Sequence, residues 1–254
     1  MLKLMKYEFR KNRTGLLVML LIAAGLYVLA PLGRALDKGD LMILSVVLLF
    51  IYAFAAYVYV LAQGITAYSG ELRGKTGYLL MMVPRSTMSI LFGKLLFTLA
   101  FALVMLGVSA LALGASCTLM LEEMYQVKGA LELARVLLAE SGFDVAMMAH
   151  VALFIAAGIL TSVLAVVAIG YLSVTLSATI LQSGKLRGAL SFLFFIALIM
   201  LMSFLQNLVT PDLVMYASCA EAMRSALPTM LVDLVLTCAF TAASAVLLKK
   251  KVSL

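Results

Sequence analysis

Charge is what this sequence has least of. Only 12% of its 254 residues are Asp, Glu, Lys or Arg, against 65% hydrophobic, and the mean hydropathy is +1.15. Soluble globular domains average about a quarter charged and about half apolar, so an ordinary soluble enzyme is excluded. Histidine is nearly absent, and a single one cannot supply multi-histidine metal chemistry. Three cysteines, an odd number, form no C-x-x-C and pair with no histidine. That argues against both a disulfide framework and a zinc site. No internal repeat, low-complexity stretch or terminal soluble domain is expected.

What the sequence does have is apolar length. It accommodates about six spans of roughly 20 residues each, which fall at 14–33, 41–66, 95–120, 145–172, 189–208 and 226–248. The runs are continuous, without the ten-residue alternation of a porin strand, so helices are expected. The fold class is an all-α integral membrane protein with a single six-span transmembrane domain over residues 1–254. Lys3, Lys6, Arg10, Lys11 and Arg13 before the first span also suit a signal peptide. The run is long for one, however, and Pro31 follows the only small-residue site at Ala30, so it is expected to stay uncleaved.

The net charge of +7 invites a nucleic-acid partner, but the basic residues sit between apolar runs, where they report topology instead. Fourteen of the nineteen Lys and Arg fall on the side of the N-terminus, the 67–94 segment, Lys185 with Arg187, and Lys249 to Lys251. The other side holds Arg34, Lys38, Lys128, Arg135 and Arg224. The positive-inside rule makes the richer side, with both termini, cytoplasmic. Nine of the twelve acids lie in the external segments, in agreement. No nucleic-acid partner is expected.

Between the spans, residues 1–13 set Met1, Leu2, Met5 and Phe9 on one side of a helix with Lys3, Lys6, Arg10 and Arg13 beside them. Such a helix suits the membrane interface, its bases at anionic headgroups. In the cytoplasmic 67–94 segment, glycines at 70, 74 and 77 are expected to break the second span, and Pro84 to stop a short apolar run from Tyr78 to Val83. That run is too short to cross a bilayer and should lie along the membrane or against a partner. The external 121–144 segment (Leu121, Tyr125, Leu131, Leu138) reads as a surface connector or an amphipathic cap. The external 209–227 segment, between Pro211 and Pro228, is long for a loop.

Two catalytic motifs are approached and missed. Gly70 to Thr76 spells G-x-x-x-G-K-T, one residue short of a phosphate-binding P-loop, and it follows a membrane span where a P-loop follows a strand. Glu122-Glu123 resembles the paired glutamates of CAAX-type intramembrane proteases, but Val127 stands where that motif has Arg, and His150 is the lone histidine. With no base, nucleophile or ligand set assembled, the chain reads as a non-enzyme.

Polar residues inside spans are functional candidates because lipid cannot satisfy them. In the second span Ser45, Tyr52, Tyr59, Gln63 and Thr66 fall within about 60° of one another at roughly 100° per residue. Two readings fit this stripe: the wall of a transport pathway, or hydrogen bonding between helices worth roughly 1 kcal/mol per contact. Asp233 lies about two turns into the sixth span. It suits a proton or cation site, or a carboxylate that reaches interfacial water.

The KYEFRKNR stretch entering the first span, together with the 67–94 segment, resembles ABC-2 type transporter permeases of bacteria, in particular short Firmicute-like members. Their pattern Y-x-x-(D/E)-L-x-x-K-x-G-Y-L-L-x-x-x-P is met by Tyr68, Glu71, Leu72, Lys75, Gly77, Tyr78, Leu79, Leu80 and Pro84, followed by Gly93-Lys94. The resemblance implies an ABC-2 exporter type transmembrane domain in the bacterial plasma membrane. Residues 1–13, with Lys3, Lys6, Phe9 and Arg10, would be the interfacial helix. The 67–94 segment would hold the coupling helix, with Glu71, Arg73, Lys75, Gly77, Tyr78, Leu79, Leu80, Pro84 and Arg85 docking a cytoplasmic ATPase. The 209–227 segment would be the external insertion.

ATP and Mg²⁺ would belong to that ATPase, leaving no cofactor in this chain, and a second permease copy or paralogue is implied. Ser45, Tyr52, Tyr59, Gln63, Thr66 and Asp233 are the candidate pathway residues, and few charges favour a hydrophobic or amphipathic cargo such as a peptide, drug or lipid. Two alternatives are a membrane scaffold in a sensing or immunity complex, and an ion- or proton-coupled carrier using Asp233. Cys117, Cys219 and Cys238 are taken as free thiols.

Overall fold

Each apolar run becomes part of a longer helix. The computed structural model describes residues 2–73, 87–127, 129, 132, 145–180, 186–209 and 219–251. Six long helices appear among them: α1 Leu2–Ala35, α2 Gly39–Arg73, α3 Thr87–Met124, α4 Val145–Ile180, α5 Leu186–Val209 and α6 Cys219–Lys251. No strand occurs among the described residues. The shortest, α5, has 24 residues, about 36 Å at 1.5 Å per residue, against a hydrocarbon core of about 30 Å. All six are long and apolar enough to cross a membrane, so the chain is a multi-pass, all-helical membrane protein.

The helices overrun the expected breaks. Gly70 does not end α2, which continues to Arg73. A helical glycine costs about 1 kcal/mol, too little to stop a helix that tertiary packing already holds. Within the 67–94 segment, residues up to Arg73 are thus helical, α3 is described from Thr87, and residues 74–86 lie outside the described ones. Likewise α1 runs from Leu2 into the first span without a break at residue 13. Residues 219–227, expected in the external insertion, form the first turns of α6, which continues through Pro228. Membrane helices tolerate proline where neighbours re-satisfy the freed backbone. Residues 210–218 and most of 128–144 are outside the described residues.

Two helix ends are capped in the same way. Asp37 (φ 49°) and Gln126 (φ 54°) adopt the left-handed conformation. At the first, Lys38 N–H donates to Gly33 O (2.9 Å) and Asp37 N–H to Arg34 O (3.3 Å). At the second, Val127 N–H donates to Glu122 O (3.0 Å) and Gln126 N–H to Glu123 O (3.3 Å). Both are Schellman caps built without glycine, satisfying carbonyls that the helix end leaves open.

The chain divides into two compact units. One comprises Arg10–Val60 and Phe101–Leu153; the other comprises Met1–Phe9, Leu61–Ala100 and Phe154–Leu254. In the first, Ala23 of α1 and Tyr52 and Ala56 of α2 form a buried cluster with Met19, Leu26 and Val108 against it. In the second, α4 is central: every residue from Val167 to Thr175 is buried. Ala165, Ala168, Ile169 and Leu172 of α4 pack with Met202 of α5 and Phe240 of α6. Small residues permit the approach here. A methyl on Gly64 would meet Val167 Cγ2 at 2.9 Å and Thr98 Cγ2 at 3.0 Å, and one on Gly170 would meet Ile65 Cγ1 at 2.6 Å. Membrane helices pack through such contacts because lipid supplies no hydrophobic drive between them.

Candidate coupling site and pathway residues

A buried ion pair joins α1 to α3 near the described end of α2. Glu8 of α1 is 1% exposed and Lys94 of α3 is 0% exposed, and Lys94 Nζ donates to Glu8 Oε1 at 3.0 Å. The same ammonium donates to Ala67 O of α2 at 2.9 Å. Beside this pair, Phe9 meets Phe97 edge-on, with ring centroids 5.1 Å apart. Two buried charges persist away from water only when each finds a partner. One lysine thus ties three helices together, at points six residues before the end of α2 and seven after the start of α3. Glu8 Oε2 is buried with no hydrogen-bond partner among the described residues.

One turn of α2 carries a second anchor. Tyr68 and Thr175 of α4 lie 2.6 Å apart, oxygen to oxygen. Thr175 gives its hydroxyl hydrogen to Tyr171 O at 2.7 Å, so the Tyr68 phenol donates to Thr175. The rings of Tyr68 and Tyr171 lie against each other, tilted by 41°, with centroids 4.6 Å apart. Ala67 and Tyr68, adjacent in sequence, are therefore fixed to different helices, α3 and α4.

Of the residues in the family-like pattern, Tyr68 and Lys94 are thus buried and held. Glu71, Leu72 and Arg73 lie in the last turn of α2, their side chains outside the described residues. Lys75, Gly77, Tyr78, Leu79, Leu80, Pro84 and Arg85 fall in 74–86, outside the described residues. In the N-terminal stretch Lys6 and Arg10 are exposed while Phe9 is partly buried; the Lys3 side chain is not among those described.

The second-span stripe divides by environment. Ser45 Oγ donates to Leu26 O at 2.9 Å and the Tyr52 hydroxyl to Met19 O at 3.1 Å, both bonding α2 to the backbone of α1. Tyr59 lies against Phe101, centroids 5.9 Å apart, and its hydroxyl occupies the space a methyl on Gly15 would need. Thr66 turns its hydroxyl back to Ala62 O at 2.7 Å and is exposed; Gln63 is half-buried. Ser45 and Tyr52 thus make contacts between helices, while Gln63 and Thr66 keep exposed surface.

Asp233 finds the partner that its position in the sequence could not name. Gln206 of α5 donates from Nε2 to Asp233 Oδ1 at 2.6 Å, and the carboxylate is buried. At the other ends of α1 and α3, Arg34 pairs with Glu122 at 2.8 Å, which gives the first of the paired glutamates a role in holding helix ends together. Cys117 and Cys238 carry free thiols. Comparison with protein-family models, with curated proteins and with solved structures finds no match to this chain.

Proposed function

We propose that the chain is the permease subunit of an ATP-binding cassette exporter of the ABC-2 type, working with a separate cytoplasmic ATPase. The observation that carries the reading is the buried Glu8–Lys94 pair with its bond to Ala67. Its two charged members come from the two stretches on which the family resemblance rests, KYEFRKNR and the terminal Gly93-Lys94. Its lysine joins Ala67, six residues before the last described residue of α2, to α3 seven residues after its first. A force applied to the 74–86 segment by a docked partner passes directly into α1, α2 and α3, and through Tyr68 and Thr175 into α4. That is the connection a coupling element requires.

In this reading both termini and the 74–86 segment are cytoplasmic, in the plasma membrane of a bacterium. The short run from Tyr78 to Leu80, with Pro84, docks the ATPase. Residues around Phe9 and Arg10 lie at the membrane surface, and ATP and Mg²⁺ stay with the partner. A second permease, identical or paralogous, completes the pathway. Closure of the ATPase rocks the helices between inward- and outward-open arrangements. The half-buried Gln63 and the exposed Thr66 are the members of the α2 stripe left to face a cargo, hydrophobic or amphipathic in kind.

The test is affinity purification of the tagged chain from its own membranes, with mass spectrometry of what comes with it. A small soluble ATPase should be recovered, and Tyr78→Ala with Pro84→Ala should abolish its recovery. No ATPase under conditions that preserve complexes would overturn the reading. It would favour an ion- or proton-coupled carrier, for which the buried Asp233–Gln206 pair is the specific observation.

A further inference from the structure

The two halves of α3 are held in different ways. Over residues 87–105 the helix buries Leu91, Leu95, Phe97, Phe101 and Met105, together with Lys94 and its bonds to α1 and α2. Over residues 106–124 the only buried residues are Ser109, Ser116 and Glu122, all of them polar. Val108 adds a partly buried contact to the cluster that α1 and α2 form. Gly107 and Gly114 have no atom within 4 Å of where a Cβ would stand, so neither marks a close crossing. Gly107 also lies at the junction of the two halves, where a glycine makes a helix easier to bend.

At the same end α1 and α2 form a tight hairpin. A methyl on Gly33 would meet Met42 Cγ at 2.8 Å, and Ser45 and Tyr52 bond α2 to the backbone of α1. The pair of Arg34 and Glu122, 2.8 Å apart, joins this hairpin to the end of α3. Each member stands in the last turn of its helix, where open carbonyls favour a cation and disfavour a carboxylate. Arg34 is therefore what holds Glu122, largely buried, against the hairpin. Six residues earlier, Ser116 is fully buried, and its hydroxyl has no hydrogen-bond partner among the described residues. A serine within a helix ordinarily bonds back to a carbonyl three or four residues before it, as Ser173 and Ser177 do. A buried hydroxyl left unmade costs free energy that contact with water would return. This end of α3 is thus closed against a bias to open.

We propose that residues 106–124 of α3 are a gate, and that the Arg34–Glu122 pair is the latch that keeps it shut against the α1–α2 hairpin. Breaking the pair releases Glu122 to water, lets this half of the helix swing about Gly107, and wets Ser116. The first half stays in place, because its buried apolar side chains and Lys94 hold it. The latch stands on packing alone and does not depend on the exporter reading; within that reading it is the external gate.

The test uses the full-length chain in nanodiscs, open to reagent from both faces, with Cys117, Cys219 and Cys238 replaced by alanine. Ser116→Cys reports on the gate, and Thr98→Cys on the first half, where Thr98 is buried and bonded to Lys94 O. Neutral methyl methanethiosulfonate reacts with a thiol once it is hydrated and ionised, and mass spectrometry follows the rate. With the latch intact, Ser116→Cys should be protected relative to Asp37→Cys at the exposed turn. Adding Arg34→Gln should speed its modification at least about tenfold, equivalent to about 1.4 kcal/mol. Sodium chloride at about 1 M should act in the same direction on the unaltered pair. Arg34→Glu with Glu122→Arg should restore protection, and Thr98→Cys should stay protected throughout. An unchanged rate in Arg34→Gln, or ready modification of Ser116→Cys with the latch intact, would overturn the gate. A rise at Thr98→Cys alongside Ser116→Cys would show general loosening and would equally overturn it. If Arg34→Gln does not fold, the salt titration of the unaltered pair carries the same expectation.

Discussion

Glu8 and Arg34 make the same kind of bond in different surroundings, and burial decides what each bond is worth. Arg34 is 42% exposed at its side chain but Glu122 only 10%, so solvent screens the pair in part, and Arg34→Ala should cost about 1–2 kcal/mol, between an exposed and a fully buried pair. Lys94 and Glu8 are each 1% exposed at the side chain. Lys94→Ala leaves a carboxylate buried without its cation, and we expect a loss of about 3–5 kcal/mol. The double variant Glu8→Leu with Lys94→Met removes both desolvation penalties and should regain most of that loss. Thermal or denaturant unfolding in detergent, arranged as a double-mutant cycle, reads both. A loss below about 1 kcal/mol for Lys94→Ala would mean that water reaches the pair. Asp233→Asn makes the opposite case. It keeps the oxygen that accepts from Gln206, so an exporter driven by a partner ATPase should keep its transport activity, whereas a carrier that titrates Asp233 should lose it in a vesicle flux assay.

Among the elements, glycines distinguish tight crossings from surfaces turned to lipid. A side chain on Gly170 meets Ile65 at 2.6 Å, whereas Gly25 and Gly158 have nothing within 4 Å. Gly170→Val should therefore cost about 1–3 kcal/mol by overpacking, while Gly158→Ala should be neutral or slightly stabilising. Thermal unfolding of the two purified variants checks the difference. The helices themselves were legible in the sequence because a charge-free run of the right length has few alternatives in a membrane. Their ends were not. Gly70 and Pro228 look like breaks, yet packing carries α2 and α6 through them. In the sequence Lys94 is one of the basic residues of the 67–94 segment, and nothing there points to Glu8, 86 residues away in the chain. The α2 stripe was legible as a face. Which of its members bond to α1 depended on the depth at which α1 crosses, and no spacing in the sequence encodes that.

At the scale of the whole molecule, the distribution of basic residues makes a claim that chemistry from outside the cell can test. The positive-inside reading puts the α1–α2 turn at Asp37 outside and Lys249 inside. The helices support accessibility at both points: Asp37 is exposed in its turn and Lys249 is exposed near the end of α6. After Cys117, Cys219 and Cys238 are replaced by alanine, a cysteine placed at Asp37 should react in intact cells with a membrane-impermeant maleimide. One placed at Lys249 should react only after the cells are opened. The reverse pattern would put the 74–86 segment outside, where no cytoplasmic ATPase could reach it, and would end the exporter reading whatever the purification recovers. The expected pattern would put the Glu8–Lys94 pair toward the cytoplasmic ends of α1 and α3. In the exporter reading, a push on 74–86 would then reach, through the ends of α2 and α3, a bond shared by three helices.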